Sequence, residues 1–275
     1  MSPQGPAVVA TLLASSALPS LEARALLAHQ LNVAREHLIA HPDQAVSTAH
    51  ATAFERLVER RRDGEPLAYL LGEKEFYGRM FAVSPVVLVP RPETELLVEL
   101  ALRRLEERAG ARILDLGTGS GCIAVSLALE RPRSDVIATD KSAATLHLAR
   151  ANAARHKAGN VRFEHADWFA GLPAHARFDL IVSNPPYVAA NDPHLNDLRF
   201  EPSLALHGGH DGLAALRTII EGAPAHLAPG GWLLLEHGCQ QGSAVRTMLA
   251  GQSWSHVETR DDASGIERVT FAWAV

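Results

Sequence analysis

The spacing of apolar residues divides the chain into two parts. In the first part, Phe54, Leu57 and Val58 stand at i, i+3 and i+4, so they share one face of a predicted helix. Beyond residue 90, helical patterns alternate with short apolar runs, which is typical of a parallel sheet covered by helices. We therefore predict a helical amino-terminal domain over residues 1–68 and an α/β domain over residues 90–275.

Residues 69–89 have a different pattern. Two short runs rich in aromatic and apolar residues, 75–77 and 80–83, flank Gly78-Arg79. A glycine-containing turn between two such runs predicts a β-hairpin. Its place between the two predicted domains makes it a linker.

The α/β part is predicted to contain seven strands. Helices are predicted over residues 93–108 and 122–130, and an alanine-rich helix ends near residue 156. The last two strands follow each other across a turn that contains Gly265, so we expect an antiparallel edge on an otherwise parallel, Rossmann-like sheet. The predicted strands are 112–116, 136–139, 161–164, 180–183, 232–236, 257–260 and 268–273.

Composition narrows the class of protein. The chain has 275 residues, is 47% apolar and carries a net charge of -5, which fits a soluble globular protein and not one that traps nucleic acid by bulk charge. No apolar run is long enough to span a membrane, and the amino terminus lacks a basic leader. Only two cysteines, Cys122 and Cys239, are present, which argues against a disulfide framework. We expect a cytoplasmic protein without membrane association.

The segment Asn184-Pro185-Pro186-Tyr187 directly follows the apolar run 178–182, so it lies at the carboxyl end of a predicted strand. In open α/β sheets, ligands bind at that edge. Two prolines cannot continue a strand ladder, because neither has an N–H to donate. They instead hold the chain in an extended conformation. The Asn184 side-chain oxygen and the Pro185 carbonyl can then each accept one hydrogen of a planar –NH2 group, while the Tyr187 ring covers its face.

A glycine-rich loop lies between the predicted strand 112–116 and the helix that starts at Cys122. Its sequence from Asp115 is Asp-Leu-Gly-Thr-Gly-Ser-Gly, and Asp140 ends the next strand 19 residues after Gly121. Glycines let the backbone approach a ligand closely, and a carboxylate at that place can accept both hydroxyls of a ribose. The dinucleotide pattern GxGxxG fails because position 122 is cysteine, and the tighter GxGxG suits a ligand without a pyrophosphate.

This loop resembles that of the class I methyltransferases, which also end in an antiparallel hairpin. The resemblance implies S-adenosylmethionine as cofactor, with its adenine beside Asp167 and Trp168 and its ribose on Asp140. Asn184 is expected near both ligands. The loop residues expected to bind the methionine part are Gly117, Thr118, Gly119, Ser120 and Gly121.

The Asn-Pro-Pro-Tyr segment is similar to the motif of methyltransferases that act on planar nitrogen, in adenine, cytosine, guanine or the glutamine side chain. The resemblance makes Asn184, Pro185 and Tyr187 the expected catalytic residues, with Pro186 also in the substrate site. The sulfonium is a strong methyl donor, so no histidine is assigned as a base and no metal is expected.

Further segments look like those of the release-factor glutamine N5-methyltransferases. They are 88–95, 199–202, 206, 208–209, 211–213, 236–238 and 267–269. This resemblance implies a monomeric enzyme that methylates the glutamine of a Gly-Gly-Gln motif in peptide-chain release factors and so modulates translation termination, with the helical domain recognising the substrate. A ribosomal-protein glutamine methyltransferase remains an alternative. A nucleic-acid adenine methyltransferase is the other, although the net acidity disfavours it.

Overall fold

Five helices form the amino-terminal part of the chain in the computed structural model, which describes residues 7–251 and 253–275. The first compact unit of the chain ends at Glu73, and the second runs from Lys74 to Val275. The first unit has its own core, in which Leu27 and Phe54 are fully buried. The helices are α1 (Val9–Ser15), α2 (Ser20–Leu31), α3 (Arg35–Ala40), α4 (Thr48–Arg62) and α5 (Leu67–Leu71).

A hairpin follows α5, with strands β1 (Glu73–Phe76) and β2 (Arg79–Ala82). Its two turn residues, Tyr77 and Gly78, both have positive φ, the combination found in tight hairpin turns. The predicted hairpin is therefore present. The predicted domain limits of 1–68, 69–89 and 90–275 stay a prediction.

The second unit contains a seven-stranded sheet within the described residues. The strand order in the sheet is β5-β4-β3-β6-β7-β9-β8. The first five strands of this order are parallel, and β9 runs antiparallel to β7. The predicted α/β class and antiparallel edge are confirmed. The strands are β3 (Arg112–Leu116), β4 (Asp135–Asp140), β5 (Val161–His165), β6 (Phe178–Ser183), β7 (Leu227–Glu236), β8 (Trp254–Asp261) and β9 (Glu267–Ala274).

Helices cover both faces of this sheet, and each face has its own apolar core. The first face carries α6, α7 and α8, and the second carries α9 and α10. The helices are α6 (Glu95–Arg104), α7 (Cys122–Glu130), α8 (Ala143–His156), α9 (Ala214–Gly222) and α10 (Gly242–Leu249). The sequence-based prediction did not include α9 or α10.

Helix α6 is shorter than the predicted helix over 93–108. A 3-10 turn, Pro92–Thr94, precedes it, and it ends at Arg104. Arg108 does not continue the helix because its side chain donates to the Gly230 carbonyl at 2.9 Å and pairs with Asp179 of β6. Contacts with the sheet therefore outweigh the helical tendency of this segment.

Neither a helix able to cross a membrane nor a cluster of metal-ligating side chains is found within the described ranges. None of the helices there combines the length and the apolar character that crossing a membrane requires. The same residues contain no group of three or more His, Cys, Asp or Glu side chains placed to hold a metal ion.

Candidate active site

A cavity of about 510 Å³ opens at the carboxyl edge of the sheet. Strand β3 lies between β4 and β6, so the loops that follow these three strands meet at one point where the strand order reverses. The cavity brings together most of the residues selected from sequence, which are Gly117, Thr118, Gly119, Ser120, Asp140, Asp167, Trp168, Asn184 and Pro186. Gly121, Pro185 and Tyr187 belong to the same loops but do not line this cavity.

The glycine loop presents backbone to the cavity. Gly119 has a φ of 57°, and apart from Gly119 itself and its two chain neighbours, no described atom lies within 4 Å of the place where a Cβ would stand. A side chain there would project into open space beside the cavity wall, so glycine leaves room for a ligand to approach the backbone. Gly121 has a structural role instead, because it caps α7 in a left-handed conformation and packs closely against Ala149.

Asp140 ends β4 and faces the glycine loop. Its Oδ2 accepts from the Gly119 N–H at 3.1 Å, and its Oδ1 accepts from the Ser142 N–H at 2.9 Å. Burial raises the pKa of Asp140, and these N–H groups oppose that rise. A carboxylate has about four acceptor positions, so Asp140 can still accept a hydrogen bond from a hydroxyl group of a ligand.

Asp115 lies fully buried at the end of β3, just before the glycine loop. Its Oδ2 accepts from the Thr118 hydroxyl at 2.6 Å, while its Oδ1 and the Ser120 Oγ make no hydrogen bond of ordinary geometry among the described residues. Burial raises the pKa of Asp115 to about 7. Two buried polar atoms that lack a well-formed hydrogen bond beside a cavity are typical of a site that binds a polar ligand.

Trp168 and Asp167 form another part of the wall, after β5. Trp168 has a positive φ of 53°, which is rare for a bulky residue, and its ring lies against Gly117. The Asp167 carboxylate is exposed and pairs with the Lys141 Nζ at 3.3 Å. Lys141, which was not selected from sequence, therefore competes for the carboxylate that was predicted to accept an amine.

Asn184 follows β6 and lines the cavity. Its Nδ2 donates to the Thr94 hydroxyl at 3.1 Å, so its Oδ1 is directed away from Thr94. Pro185 is buried, and Pro186 forms part of the cavity wall. Asn184 thus presents an acceptor oxygen that its own donor side holds in place.

Tyr187 packs with the apolar core on the second face of the sheet, behind the cavity wall. Its hydroxyl donates to Glu236 Oε1 at 3.4 Å. Burial and the negative charge of Glu236 raise the pKa of Tyr187, so the hydroxyl keeps its proton. Its role as a cover for the substrate group stays a prediction.

The loop over residues 206–212 supports the Asn-Pro-Pro-Tyr backbone. The Gln241 Nε2 donates to the carbonyls of Tyr187 at 3.0 Å and Gly212 at 3.3 Å. A Cβ on Gly208 would lie 2.7 Å from the Pro186 carbonyl oxygen, so only glycine allows this approach. The loop and α10 together fix the course of the motif after Asn184.

Segments 88–95 and 199–202, which are far apart in sequence, meet at the opposite wall. Glu201 is buried, accepts from the Val89 N–H at 3.0 Å and pairs with Arg91. Arg91 itself lines the cavity. The ion pair therefore holds this wall beside Asn184 and the glycine loop.

Comparison with known proteins identifies the family. The family model described as "Methyltransferase small domain" matches residues 93–198, and the one described as "PrmC N-terminal domain" matches residues 8–72. The release factor glutamine methyltransferase of Bordetella pertussis is 53% identical, over 94% of this chain and 96% of its own length. That of Burkholderia pseudomallei is 50% identical, over 96% of this chain and 95% of its own. The chain belongs to the release factor glutamine methyltransferase family.

Solved structures agree with this fold. A methyltransferase from Pyrococcus furiosus has a TM-score of 0.53 at 22% identity, covering 78% of this chain and 96% of that one. A T. thermophilus 16S rRNA N2 G1207 methyltransferase, in complex with AdoMet and guanosine, has a TM-score of 0.52 at 21% identity, covering 74% and 50%. At these identities the likeness shows a methyltransferase fold only.

The sequence-based prediction of the site did not include several residues that the structure places there. They are Thr94, Asp115, Lys141, Glu236 and Gln241. Thr94, Asp115 and Glu236 stood within segments that resembled the family, so a signal existed. Lys141 and Gln241 had none, because neither belongs to a pattern that predicts a contact.

Proposed function

We propose that the protein transfers a methyl group from S-adenosylmethionine to the side-chain amide nitrogen, N5, of the glutamine in the Gly-Gly-Gln motif of peptide-chain release factors. Methylation of that glutamine would modulate translation termination. Membership of the family supports this proposal. The observation that carries it is the placement of Asn184. Its Nδ2 donates to the Thr94 hydroxyl, and its side chain lines the same cavity as the glycine loop.

The residues around the cavity fit S-adenosylmethionine. The open space at Gly119 and the neighbouring Ser120 can receive its methionine part, and the Asp140 carboxylate can accept from its ribose hydroxyls. Trp168 and Asp167 are proposed to bind the adenine, the latter after release from Lys141. When bound, this cofactor supplies an electrophilic methyl group on a sulfonium. The proposed cofactor residues are Gly117, Thr118, Gly119, Ser120, Gly121, Asp140, Asp167, Trp168 and Asn184.

The Asn184 side chain and the Pro185 carbonyl are proposed to hold the glutamine amide. An amide nitrogen is a weak nucleophile because its lone pair is delocalised into the carbonyl. Two oxygens that accept hydrogen bonds from both of its N–H groups orient the nitrogen and stabilise the positive charge that develops on it. The transferred methyl group would form the new N–C bond as its bond to sulfur breaks, and the displaced proton would go to water, so no residue of the site is needed as a general base. Pro186 and Tyr187 complete this substrate site.

The helical unit is proposed to recognise the release factor. It has a core of its own and matches a family model separate from that of the catalytic part. Hydrogen exchange with and without a release factor measures this directly. Protection confined to residues after 73 would contradict a recognition role for the helices.

We further propose that the enzyme acts as a monomer in the cytoplasm and takes no nucleic acid as substrate. Sedimentation of the purified protein at the mass of one chain would support the monomer. Sedimentation at twice that mass would contradict it.

Labelled S-adenosylmethionine tests the substrate. Four acceptors are compared: an intact release factor, the same factor with the Gly-Gly-Gln glutamine changed to alanine, purified ribosomal proteins, and double-stranded DNA. We expect label on the intact release factor alone, mapped to that glutamine. Label on ribosomal proteins or DNA, or equal label on both forms of the factor, would overturn the substrate assignment.

A further inference from the structure

Thr94, Glu236 and Tyr187 form a buried polar group directly behind Asn184. Thr94 is 2% exposed and Glu236 is 1% exposed. The Thr94 hydroxyl accepts from the Asn184 Nδ2 at 3.1 Å, and the Tyr187 hydroxyl donates to Glu236 Oε1 at 3.4 Å. Thr94 therefore contacts the first residue of the Asn-Pro-Pro-Tyr motif, and Glu236 contacts the last.

The Thr94 hydroxyl does not have the local role that its position predicts. Thr94 is the N-cap residue of α6, where a threonine hydroxyl ordinarily accepts from a backbone N–H of the first turn. Here it makes no such bond and contacts Asn184 instead. The hydroxyl is thus available to the site, and its removal should cost the helix little.

Glu236 favours one direction for these hydrogen bonds when it is ionised. Burial raises the pKa of Glu236 to about 7, and the Thr94 hydroxyl and the positive charge of Arg268 oppose that rise, while Glu93 adds to it. In its ionised form Glu236 can only accept, so the single proton of the Thr94 hydroxyl turns toward it. The lone pairs of Thr94 then face Asn184, and they can bind only the –NH2 side of its amide.

Burial of the Glu236 carboxyl group is unfavourable for folding. Glu236 Oε2 has no hydrogen bond of ordinary geometry among the described residues. A buried and incompletely paired carboxyl group lowers the free energy of unfolding, and a protein tolerates this mainly where the group serves a site. Its position beside Thr94 and Tyr187 therefore points to a role in the site.

We propose that Thr94 is a positioning residue that fixes the orientation of the Asn184 amide, so that its Oδ1 faces the substrate nitrogen. This inference rests on the proposed function. Without the Thr94 hydroxyl, the two ends of the Asn184 amide would lose the contact that distinguishes them. Rotation by 180° would present a donor, Nδ2, to an –NH2 group that itself only donates.

The test is Thr94→Val, which keeps the shape of the side chain and removes the hydroxyl. We expect kcat with the release factor to fall roughly 10- to 100-fold, because misorientation of a reacting group costs that much. KM for the release factor and Kd for S-adenosylmethionine should change less than about threefold, since the amide is a small part of both binding surfaces. Thr94→Ser, which restores the hydroxyl, should recover most of kcat.

The matched control is Thr270→Val. Thr270 is also fully buried and hydrogen-bonded, to His237 and Thr259, but contacts neither Asn184 nor the cavity. This variant should lose stability without losing kcat. If both variants lose kcat equally, or if Thr94→Val keeps wild-type kcat, the positioning role is wrong.

A second measurement does not depend on turnover. In protein labelled with 15N-asparagine, the side-chain –NH2 signal of Asn184, identified by its loss in Asn184→Ala, should exchange with solvent faster in Thr94→Val than in wild type. Equal exchange rates would overturn the inference even where the proposed function holds. If wild type fails to methylate the release factor, the proposed function fails first, and the positioning role falls with it.

Discussion

At the scale of single residues, Asn184 and Asp140 line one cavity but have different partners. Asn184 is held by the hydroxyl of Thr94, so its free oxygen is suited to a donor group. Asp140 is held by backbone N–H groups of the glycine loop and of the residue that caps α8, so its remaining acceptor capacity is suited to a hydroxyl. The same cavity thus offers two acceptors of different charge for two different ligands.

This difference predicts opposite effects of two substitutions. Asn184→Ala should lower kcat roughly 100-fold or more, as the loss of one preorganised hydrogen-bonding group does, with Kd for S-adenosylmethionine changed only modestly. Asp140→Ala should raise that Kd about 10- to 100-fold, because it removes hydrogen bonds to a charged acceptor. Calorimetric titration with the cofactor and single-turnover methylation separate the two effects.

Each variant is the control for the other. Equal loss of binding and turnover in Asn184→Ala would show that its role is wrongly assigned. An unchanged cofactor affinity in Asp140→Ala would remove that carboxylate from the cofactor site.

At the scale of elements, the glycine loop and the loop over residues 206–212 both need glycine, but for different reasons. Gly119 has a positive φ and open space around it, whereas Gly208 has ordinary φ and backbone atoms at close range. A substitution at Gly119 therefore tests backbone strain and ligand access. One at Gly208 tests steric support of the Asn-Pro-Pro-Tyr motif.

Gly119→Ala should weaken cofactor binding more than it weakens the fold. The left-handed conformation costs an alanine about 1 kcal/mol of the free energy of unfolding, and the new methyl group would stand in the space proposed for the cofactor. Gly265→Ala is the matched control because Gly265 also has positive φ and open space, in the turn between β8 and β9. Both should lose similar stability in urea unfolding. A similar loss of cofactor affinity in both would contradict the assigned role of the loop.

Gly208→Ala should displace the Asn-Pro-Pro-Tyr backbone. Its Cβ would lie 2.7 Å from the Pro186 oxygen and 2.5 Å from the Gly212 oxygen, so one of these segments must move. We expect kcat to fall about 10-fold or more, because small displacements of a reacting group are costly. Gly159→Ala, at ordinary φ and with no described atom beyond its chain neighbours within 4 Å of the new Cβ, should leave kcat unchanged. Wild-type kcat in Gly208→Ala would show that the motif tolerates movement.

At the scale of the whole molecule, the four tryptophans of the chain, at 168, 232, 254 and 273, all lie in the second compact unit. Tryptophan fluorescence during urea unfolding therefore reports on that unit by itself. Its stability can be followed without assuming that the helical unit unfolds in the same step.

This signal can measure how Asp115 couples pH to stability. Burial raises the pKa of Asp115 to about 7 in the folded state, against about 4 when unfolded. The folded state therefore holds more protons on this group between those values, so its contribution to stability is complete at low pH and is lost as pH rises to about 7. Above that pH no further change follows. The total is on the order of 1 to 4 kcal/mol.

In the absence of cofactor, the free energy of unfolding of wild type relative to Asp115→Asn should fall as the pH is raised from about 4 to 7. Asp211→Asn is the control. A hydrogen bond from Arg217 lowers the pKa of Asp211 to about 2, so its contribution is lost only as pH falls toward that value. The free energy of unfolding of wild type relative to Asp211→Asn should therefore stay constant over the same pH range. A flat difference for Asp115→Asn would show that the carboxyl group is not held protonated.

Much of the fold could be predicted because its signals are local. The helix over Cys122–Glu130 and the strand Arg112–Leu116 have the limits that the apolar pattern predicted. Helix α6 ended early because Arg108 bonds to the sheet, a contact that no local pattern contains. Helix α9 was missed although Leu216, Ile219 and Ile220 stand at helical spacing, so its signal was present in the sequence.

The sequence alone determined which chemistry the site contains and at which edge of the sheet it lies. Glycines, prolines and strand patterns act on their immediate neighbours, so their effects can be predicted from their order along the chain. Only the tertiary structure decided how Asn184 is oriented. Thr94 lies 90 residues before it, and Glu236 lies 49 residues after Tyr187. Such pairs meet because packed strands and helices bring them together, and a hydrogen bond across that distance leaves no periodic pattern in the sequence.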